Sequence, residues 1–268
     1  NAIRSGNMSE EERNRLLEHL TDPISSLVLA DSESQSLAVS LDELRVRDAL
    51  DDFRESMSSL ERSGVLNRAA EHLPTWEVLR DRLDERGRSL TRPELSVLLA
   101  HAKMDLMSQL LRSRLPDDPV SERYLRSYFP EEAVRVAGET ALLTHRLRRP
   151  IVASQLTNDL VGLMGATFTN RIARDTGSAP ADIARAWLIA AHLADHNDLT
   201  KRVRGIENRL SPRITYRWLL GLSRVLERTT RWLLSNFGHE INASTIIEEN
   251  LDQLVILRGE FGNFVAGD

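Results

Sequence analysis

Prolines and glycines divide this chain into stretches whose apolar residues recur at helical spacing. No stretch combines sustained apolar–polar alternation with flanking hairpin turns, which is the pattern typical of strands. One periodic stretch has a broad apolar face formed by Leu95, Leu98, Leu99, Ala102, Leu106 and Leu110. The sequence therefore predicts an all-α protein with essentially no sheet, built as one irregular multi-helix domain or as two packed helical subdomains.

Capping boxes mark several expected helix starts. In such a box, a serine or threonine side chain accepts a bond from a backbone N–H three residues on, and a glutamate at that position reaches back. The spacing occurs at Ser9–Glu12, Ser40–Glu43 and Thr91–Glu94. Asp22 and Pro23 also predict the start of a separate short helix, because proline is tolerated in the first helical turn.

Apolar periodicity and punctuation place the other helices. The predicted helices span about residues 40–62, 75–87, 91–110, 131–147, 150–164, 167–175, 180–194, 212–237 and 245–257. The charged run at 81–88 is the best internal boundary. It divides the chain into an N-terminal helical subdomain, 1–86, and a main C-terminal helical domain, 87–268.

Composition restricts the class of protein. The 268 residues are 41% hydrophobic and 28% charged, which is ordinary for a globular protein. No apolar run approaches the roughly 20 residues that cross a bilayer, and no secretory signal is visible. With no cysteine there are no disulfides, thiolate metal sites or cysteine nucleophiles. We therefore expect a cytoplasmic protein that has no membrane partner.

The charge balance argues against nucleic acid as a partner. The formal net charge is −5, and the 40 acidic residues are interleaved with the 35 basic ones. Nucleic-acid binding depends on a clustered basic surface that neutralises phosphates. We interpret the charges as solvated helix faces with ion pairs, and a nucleic-acid-binding helical module is disfavoured.

No segment supplies a catalytic or cofactor site. A dinucleotide-binding turn requires closely spaced glycines after a strand. Gly162 and Gly165 follow a predicted helix instead, so we interpret them as a turn between helices, and no helix follows Gly259 and Gly262. A serine-centred nucleophile elbow is also absent from the sequence. We assign no catalytic and no cofactor-binding residue to this chain.

Three isolated polar side chains have structural interpretations. His192 and His196 are one helical turn apart, a spacing that can place two imidazoles on a metal. Only Asp195 and Asp198 are near in sequence, so surface histidines at a helix end are preferred and no metal site is assigned. Lys103 is either a buried functional ammonium or a lysine whose stem packs along the core, and its apolar neighbours favour the second.

The polar residues between 145 and 159 are candidates for an interface. The densest basic cluster lies there, and two polar residues then interrupt an apolar run. Interfaces often combine arginine anchors with buried apolar contacts. We predict contact with another domain through some of Arg146, Arg148, Arg149, Asn158 and Asp159, with internal ion pairs and loop tying as the alternative. The acid pairs Asp117–Asp118 and Glu131–Glu132 lie at predicted helix starts, which they suit electrostatically.

Six segments, taken together, resemble the C-terminal helical region of the large, NAD-specific bacterial glutamate dehydrogenases. They occur in the order and at the separations typical of that family. The segments are Leu27-Val-Leu29, the run from Gly87 to Leu106, Leu115-Pro-Asp-Asp-Pro119, Tyr128-Phe-Pro130, His145-Arg-Leu-Arg-Arg149 and Asn158-Asp-Leu-Val161.

The resemblance implies that the intact polypeptide converts L-glutamate and NAD to 2-oxoglutarate, ammonium and NADH. The residues that bind NAD and substrate would lie upstream of residue 1, as the start at Asn1-Ala2 without methionine also suggests. This chain would then be a non-catalytic region without a cofactor of its own. Its expected partner is the catalytic domain of the same polypeptide, with homo-oligomer contacts as a further option.

The alternative is an independent helical scaffold or protein-interaction module. A long upstream coding region with a strand-linked glycine-rich nucleotide motif would support the interpretation as a dehydrogenase C-terminal region. A start codon near residue 1 would support the alternative.

Overall fold

The computed structural model describes residues 8–87, 89–205 and 211–238, together with 245, 246 and 248. These residues form twelve α-helices and no strand, which confirms the all-α prediction. The helices are α1 Glu10–Asp48, α2 Leu50–Arg62, α3 Trp76–Arg86, α4 Arg92–Arg112, α5 Glu122–Tyr128, α6 Glu131–Ala137, α7 Glu139–Leu143, α8 Arg148–Met164, α9 Phe168–Thr176, α10 Pro180–Leu193, α11 His196–Gly205 and α12 Pro212–Phe237. Two short 3₁₀ turns, Leu115–Asp117 and Pro119–Ser121, precede α5.

Several helix boundaries lie where the sequence predicted them. Ser9 forms a complete capping box, in which its hydroxyl accepts from the Glu12 N–H at 3.1 Å and its N–H donates to the Glu12 carboxylate at 2.8 Å. A second box starts α4, where the Thr91 N–H donates to Glu94 at 2.7 Å. Gly87 ends α3 in the left-handed conformation that glycine adopts without steric cost.

The prediction of a separate helix starting at Asp22–Pro23 is wrong, because α1 runs without interruption for 39 residues. Proline removes one helical hydrogen bond and crowds the preceding helical turn, at a cost of about 3 kcal/mol. By itself it does not end the helix. The capping box predicted at Ser40 is also wrong. Ser40 lies inside α1, and its hydroxyl donates to the Ser36 carbonyl at 3.1 Å.

Other predicted segments are divided. The 40–62 segment breaks at Ala49, whose φ of −138° and ψ of 39° separate α1 from α2. The 131–147 segment breaks at Gly138, which separates α6 from α7. Helices α5 and α11 were not predicted. Of the predicted 245–257 helix, residues 245, 246 and 248 are helical, and the rest lies outside the described residues.

Helix α8 lies at the centre of the packing, against α1, α4, α5 and α12, while α10 packs on α12, α4 and α9. The predicted apolar face of α4 is confirmed, since the five leucines of that face are buried and Ala102 is partly buried. Burial of each such side chain contributes roughly 1.5–3 kcal/mol. The same apolar core includes Phe53 and Leu98, on opposite sides of residue 86. The boundary at 86/87 stays a prediction.

Within the described residues, no helix has both the length and the apolar character needed to span a bilayer.

Candidate functional site around the central helix

The arginines that start α8 bind the end of α4. Arg149 donates to the carbonyls of Leu111 at 2.8 Å and Ser113 at 2.9 Å, and it forms an ion pair with Asp117. Arg148 lies 3.8 Å from the same carboxylate. Arg149 therefore satisfies carbonyls at the end of α4, and both cations complement the negative end of its dipole. Arg146, the third member of the predicted basic cluster, is exposed.

The acid pairs contribute to local structure. The Asp118 carboxylate accepts from the Val120 N–H at 3.0 Å, which caps a 3₁₀ turn, and it also pairs with Arg185 of α10. Glu131 and Glu132 lie in the first turn of α6, as predicted, and Glu132 is 3.2 Å from Arg135. Each of these carboxylates thus lies at the start of a helix or turn.

Asp159 joins α5, α8 and α11 in one polar cluster. One carboxylate oxygen is 3.0 Å from His196 Nε2, and the other accepts from the Tyr124 hydroxyl at 2.7 Å. Arg123 donates to the same hydroxyl at 2.9 Å and lies 4.0 Å from the carboxylate. On the far side of the imidazole, Nδ1 is 3.1 Å from the Thr200 hydroxyl. We refer to these five side chains as the Asp159 cluster.

The surroundings of Asp159 alter two acid–base equilibria. Burial alone would raise the pKa of Asp159, but the hydrogen bond and charge of His196, the Tyr124 hydrogen bond and the Arg123 charge outweigh it, and this pKa is lowered. Burial raises the pKa of Tyr124 well above its usual value, and the negative charge of Asp159 adds to that effect. Asp159 is therefore an ionised acceptor and Tyr124 a neutral donor near neutral pH.

Acid is expected to remove the stabilisation that Asp159 provides. A carboxyl whose pKa is lowered in the folded state contributes stability above its unfolded value of about 3.9, and that contribution disappears as the pH falls through the folded value. We predict that the difference in unfolding free energy between the wild type and Asp159→Asn is largest above about pH 4 and shrinks below it. Urea titrations across that range measure it. The exposed Asp51→Asn is the control, and a difference that does not change with pH would contradict the prediction.

Thr200, His196 and Asp159 present a hydroxyl, an imidazole and a carboxylate in series, an order also found in hydrolases. Only 3% of His196 is exposed, however, and its ring stands edge-on to the buried Trp187 with centroids 5.8 Å apart. The imidazole is thus enclosed by side chains of the same chain. The cluster therefore fixes the orientation of α11 against α5 and α8.

His192 and His196, whose spacing was considered for a metal site, do not share a helix. Helix α10 ends at Leu193, Asp195 adopts a φ of 48°, and α11 begins at His196. The interpretation of both as surface histidines is wrong for His196, because its Asp159 partner and Trp187 enclose it. In the described part of the chain, no three histidine, aspartate or glutamate side chains are grouped to hold a metal ion.

Asn158 and Lys103 border the same cavity, of about 510 Å³, between α1, α4 and α8. Both side chains are half-buried. Burial lowers the pKa of Lys103, and the negative charge of Asp31 on α1 opposes that shift. The cavity thus lies between the first half of α4 and the part of α1 that carries Gln35 and Ser36.

The turn after α8 is held by a buried carboxylate that sequence reasoning missed. Asp42 of α1 accepts from the Ala166 N–H at 3.0 Å and from Arg45 at 2.9 Å. Arg45 also donates to the Leu163 carbonyl, and Ser56 of α2 donates to the Ala166 carbonyl at 3.2 Å. Gly165 has a φ of 86° and lies against Asp42. The interpretation of this segment as a turn between helices is confirmed for Gly165, which ends α8 just before α9, whereas Gly162 lies inside α8.

Comparisons with known proteins agree with the resemblance seen in the sequence. The family model described as "Glutamate dehydrogenase, C-terminal" matches residues 87–268. The NAD-specific glutamate dehydrogenase of Halomonas elongata is 39% identical over 87% of this chain, and that of Pseudomonas aeruginosa is 36% identical over 90%. The Mycobacterium tuberculosis enzyme of the same name is 34% identical over 99%.

In each case the match covers a small part of the relative. The aligned region is 14% of the Halomonas protein, 15% of the Pseudomonas protein and 16% of the Mycobacterium protein. The family-model match nevertheless extends over more than half of this chain and includes α4 to α12. The chain therefore belongs to the glutamate dehydrogenase C-terminal family.

Proposed function

We propose that this chain is the non-catalytic C-terminal helical region of an enzyme that converts L-glutamate and NAD to 2-oxoglutarate, ammonium and NADH. The proposal rests on the family match and on the relatives, which are NAD-specific glutamate dehydrogenases. In this proposal the NAD and glutamate sites lie in the remaining part of the polypeptide. The enzyme would act in amino-acid catabolism in the cytoplasm.

The non-catalytic role is supported by the contacts of the polar side chains, which join helices of the same chain. Arg149 binds the end of α4, Asp42 holds the turn after α8, and Asp159 joins three helices. These groups hold neighbouring helices in place, whereas a dehydrogenase needs side chains that face a substrate and a nicotinamide ring. Such internal contacts favour a rigid support for the catalytic part.

The predicted interface role of the five residues around α8 is part of this proposal. Arg148, Arg149 and Asp159 have partners within the chain, and Asn158 borders a cavity. Arg146 is exposed, so it is the member of the set that is best placed to contact the catalytic domain or a second copy.

The proposed function predicts a division of activity between two preparations. The intact polypeptide should form NADH when glutamate and NAD are supplied, whereas residues 1–268 alone should neither form NADH nor bind NAD. Absorbance of NADH and calorimetry with NAD measure the two properties. Saturable NAD binding with glutamate-dependent NADH formation by the isolated chain would overturn the non-catalytic assignment. An intact protein without this activity would favour the alternative of an independent scaffold.

A further inference from the structure

The first part of α1 carries an apolar stripe on a helix that is exposed on nearly every side. We call residues 10–36 the α1 arm, which is about 40 Å long at the usual helical rise. Leu20 is the one buried residue of the arm. Among the described residues, the side-chain hydrogen bonds of 9–30 all stay within α1 and its N-cap.

The stripe consists of Leu17, Leu20, Ile24, Leu27 and Val28, which fall within about 100° of the helix circumference. The four members other than Leu20 are between 41% and 59% exposed. Isolated exposed leucines are normal, but a contiguous exposed apolar patch of a few hundred Å² is often a functional surface in a folded protein. The arm therefore presents a surface that fits an apolar partner.

A second copy of the arm is a poor partner for this stripe. The apolar 3-4-3 spacing covers only two heptads, because Glu10 and Arg13 stand before it and Asp31 after it. In a two-helix coiled coil, the positions beside the apolar seam form salt bridges between the helices. Here those positions hold no charged residue, since they are Leu16, Thr21, Pro23, Val28 and Ala30. A helix with such a broad uncharged side fits into a groove on a larger surface better than against a second copy of itself in a coiled coil.

The charge of the arm points to the nature of that surface. Residues 10–33 contain seven carboxylates and two arginines, so their net charge is −5, equal to that of the whole chain. Two such arms side by side would repel, whereas an apolar groove with a basic rim would attract one. The relatives are six to seven times as long as the region they share with this chain, which leaves ample polypeptide to supply the groove. The arm also precedes the part of the chain that the C-terminal family model matches.

We propose that the α1 arm docks, through its apolar stripe, into a basic-rimmed apolar groove on the upstream part of the same polypeptide. This inference rests on the proposed function, since it names the surface by which the C-terminal region contacts the remainder of the enzyme. Docking covers Leu17, Ile24 and Leu27 and anchors α1, whose second half holds the turn after α8 through Asp42.

The test is photo-crosslinking in the intact polypeptide. Benzoylphenylalanine replaces Ile24 on the stripe or, as the matched control, the exposed Asp22 on the opposite side of the helix. Isotope-labelled and unlabelled protein are mixed, so that mass spectrometry separates crosslinks within one polypeptide from those between copies. Crosslinks from position 24 should join upstream peptides of the same polypeptide, and those from position 22 should not.

A second pair of variants tests the apolar chemistry. With the crosslinker at 24, Leu17→Gln with Leu27→Gln should reduce the crosslink yield by about tenfold or more, while Arg15→Gln with Ser26→Gln on the opposite face should leave it unchanged. Crosslinks only between copies, only within residues 1–268, or equal from both faces would overturn the docking proposal. NADH formation is assayed in the same preparations, so failure of the proposed function is seen separately.

Discussion

Gly165→Ala is expected to lower the free energy of unfolding of this chain by about 3 kcal/mol or more. Gly165 ends α8 with a φ of 86° and a ψ of 170°, a conformation that is essentially restricted to glycine. A Cβ at this position would lie 2.3 Å from an Asp42 carboxylate oxygen and 2.9 Å from an Arg45 nitrogen. Backbone strain and displacement of the buried carboxylate therefore act together.

Gly162→Ala, one turn earlier in α8, is the matched control. A Cβ there meets no atom within 4 Å, and the residue lies inside the helix. Alanine is favoured over glycine in a helix by up to about 1 kcal/mol, so this variant should be as stable as the wild type or more so. Urea unfolding followed by circular dichroism compares the three proteins. Equal losses from the two substitutions would mean that the turn does not require glycine at 165.

Asp42→Ala is expected to cost about 3–5 kcal/mol, because it leaves a charged group and a buried donor without their acceptor. Asp42 is fully buried, and the side chain of Arg45 is only 14% exposed. The Ala166 N–H would lose its carboxylate partner in the same variant. Asp51→Ala is the control, since that carboxylate is 82% exposed and 3.5 Å from Arg54, and such pairs contribute less than about 1 kcal/mol.

The double variant Asp42→Ala/Gly165→Ala tests whether the two residues act as a unit. Without the carboxylate, the alanine at 165 no longer collides with a bound side chain. The double variant should therefore lose less unfolding free energy than the sum of the two single losses, by at least about 1 kcal/mol. Additive losses in the same urea titrations would show that the strain at 165 is independent of Asp42.

The sequence predicted correctly the helix ends that depend on capping residues close together in the chain. The boxes at Ser9 and Thr91, and the glycine end at Gly87, depend on residues within a few positions of each other, so the sequence contains all the partners. Pro23 misled the prediction because proline is compatible with a helix start and, at a cost, with a helix interior.

The polar contacts of the site depend on residues that are far apart in the chain. Arg171 and Glu227 form two 2.7 Å hydrogen bonds across 56 positions, and Asp42 reaches Ala166 across 124. Asn158 and Asp159 were singled out because they interrupt an apolar run, but their neighbours in sequence do not reveal His196 or Tyr124 as partners. Only tertiary packing brings such pairs together, so a single sequence predicts the unusual residue but not its contacts.

The hydroxyl groups along α1 affect the free-energy cost of removing water from the surface of this helix. Thr21, Ser25 and Ser32 lie beside the apolar stripe, and each donates to the carbonyl four residues earlier, at 3.1, 2.8 and 3.0 Å. A hydroxyl that loses its water without gaining a partner is costly to bury. These three have acceptors on their own helix and keep them when the surrounding solvent is removed. The dehydration penalty at the edge of the stripe is therefore small, and a docking surface needs to match only the shape of the hydrocarbon side chains there.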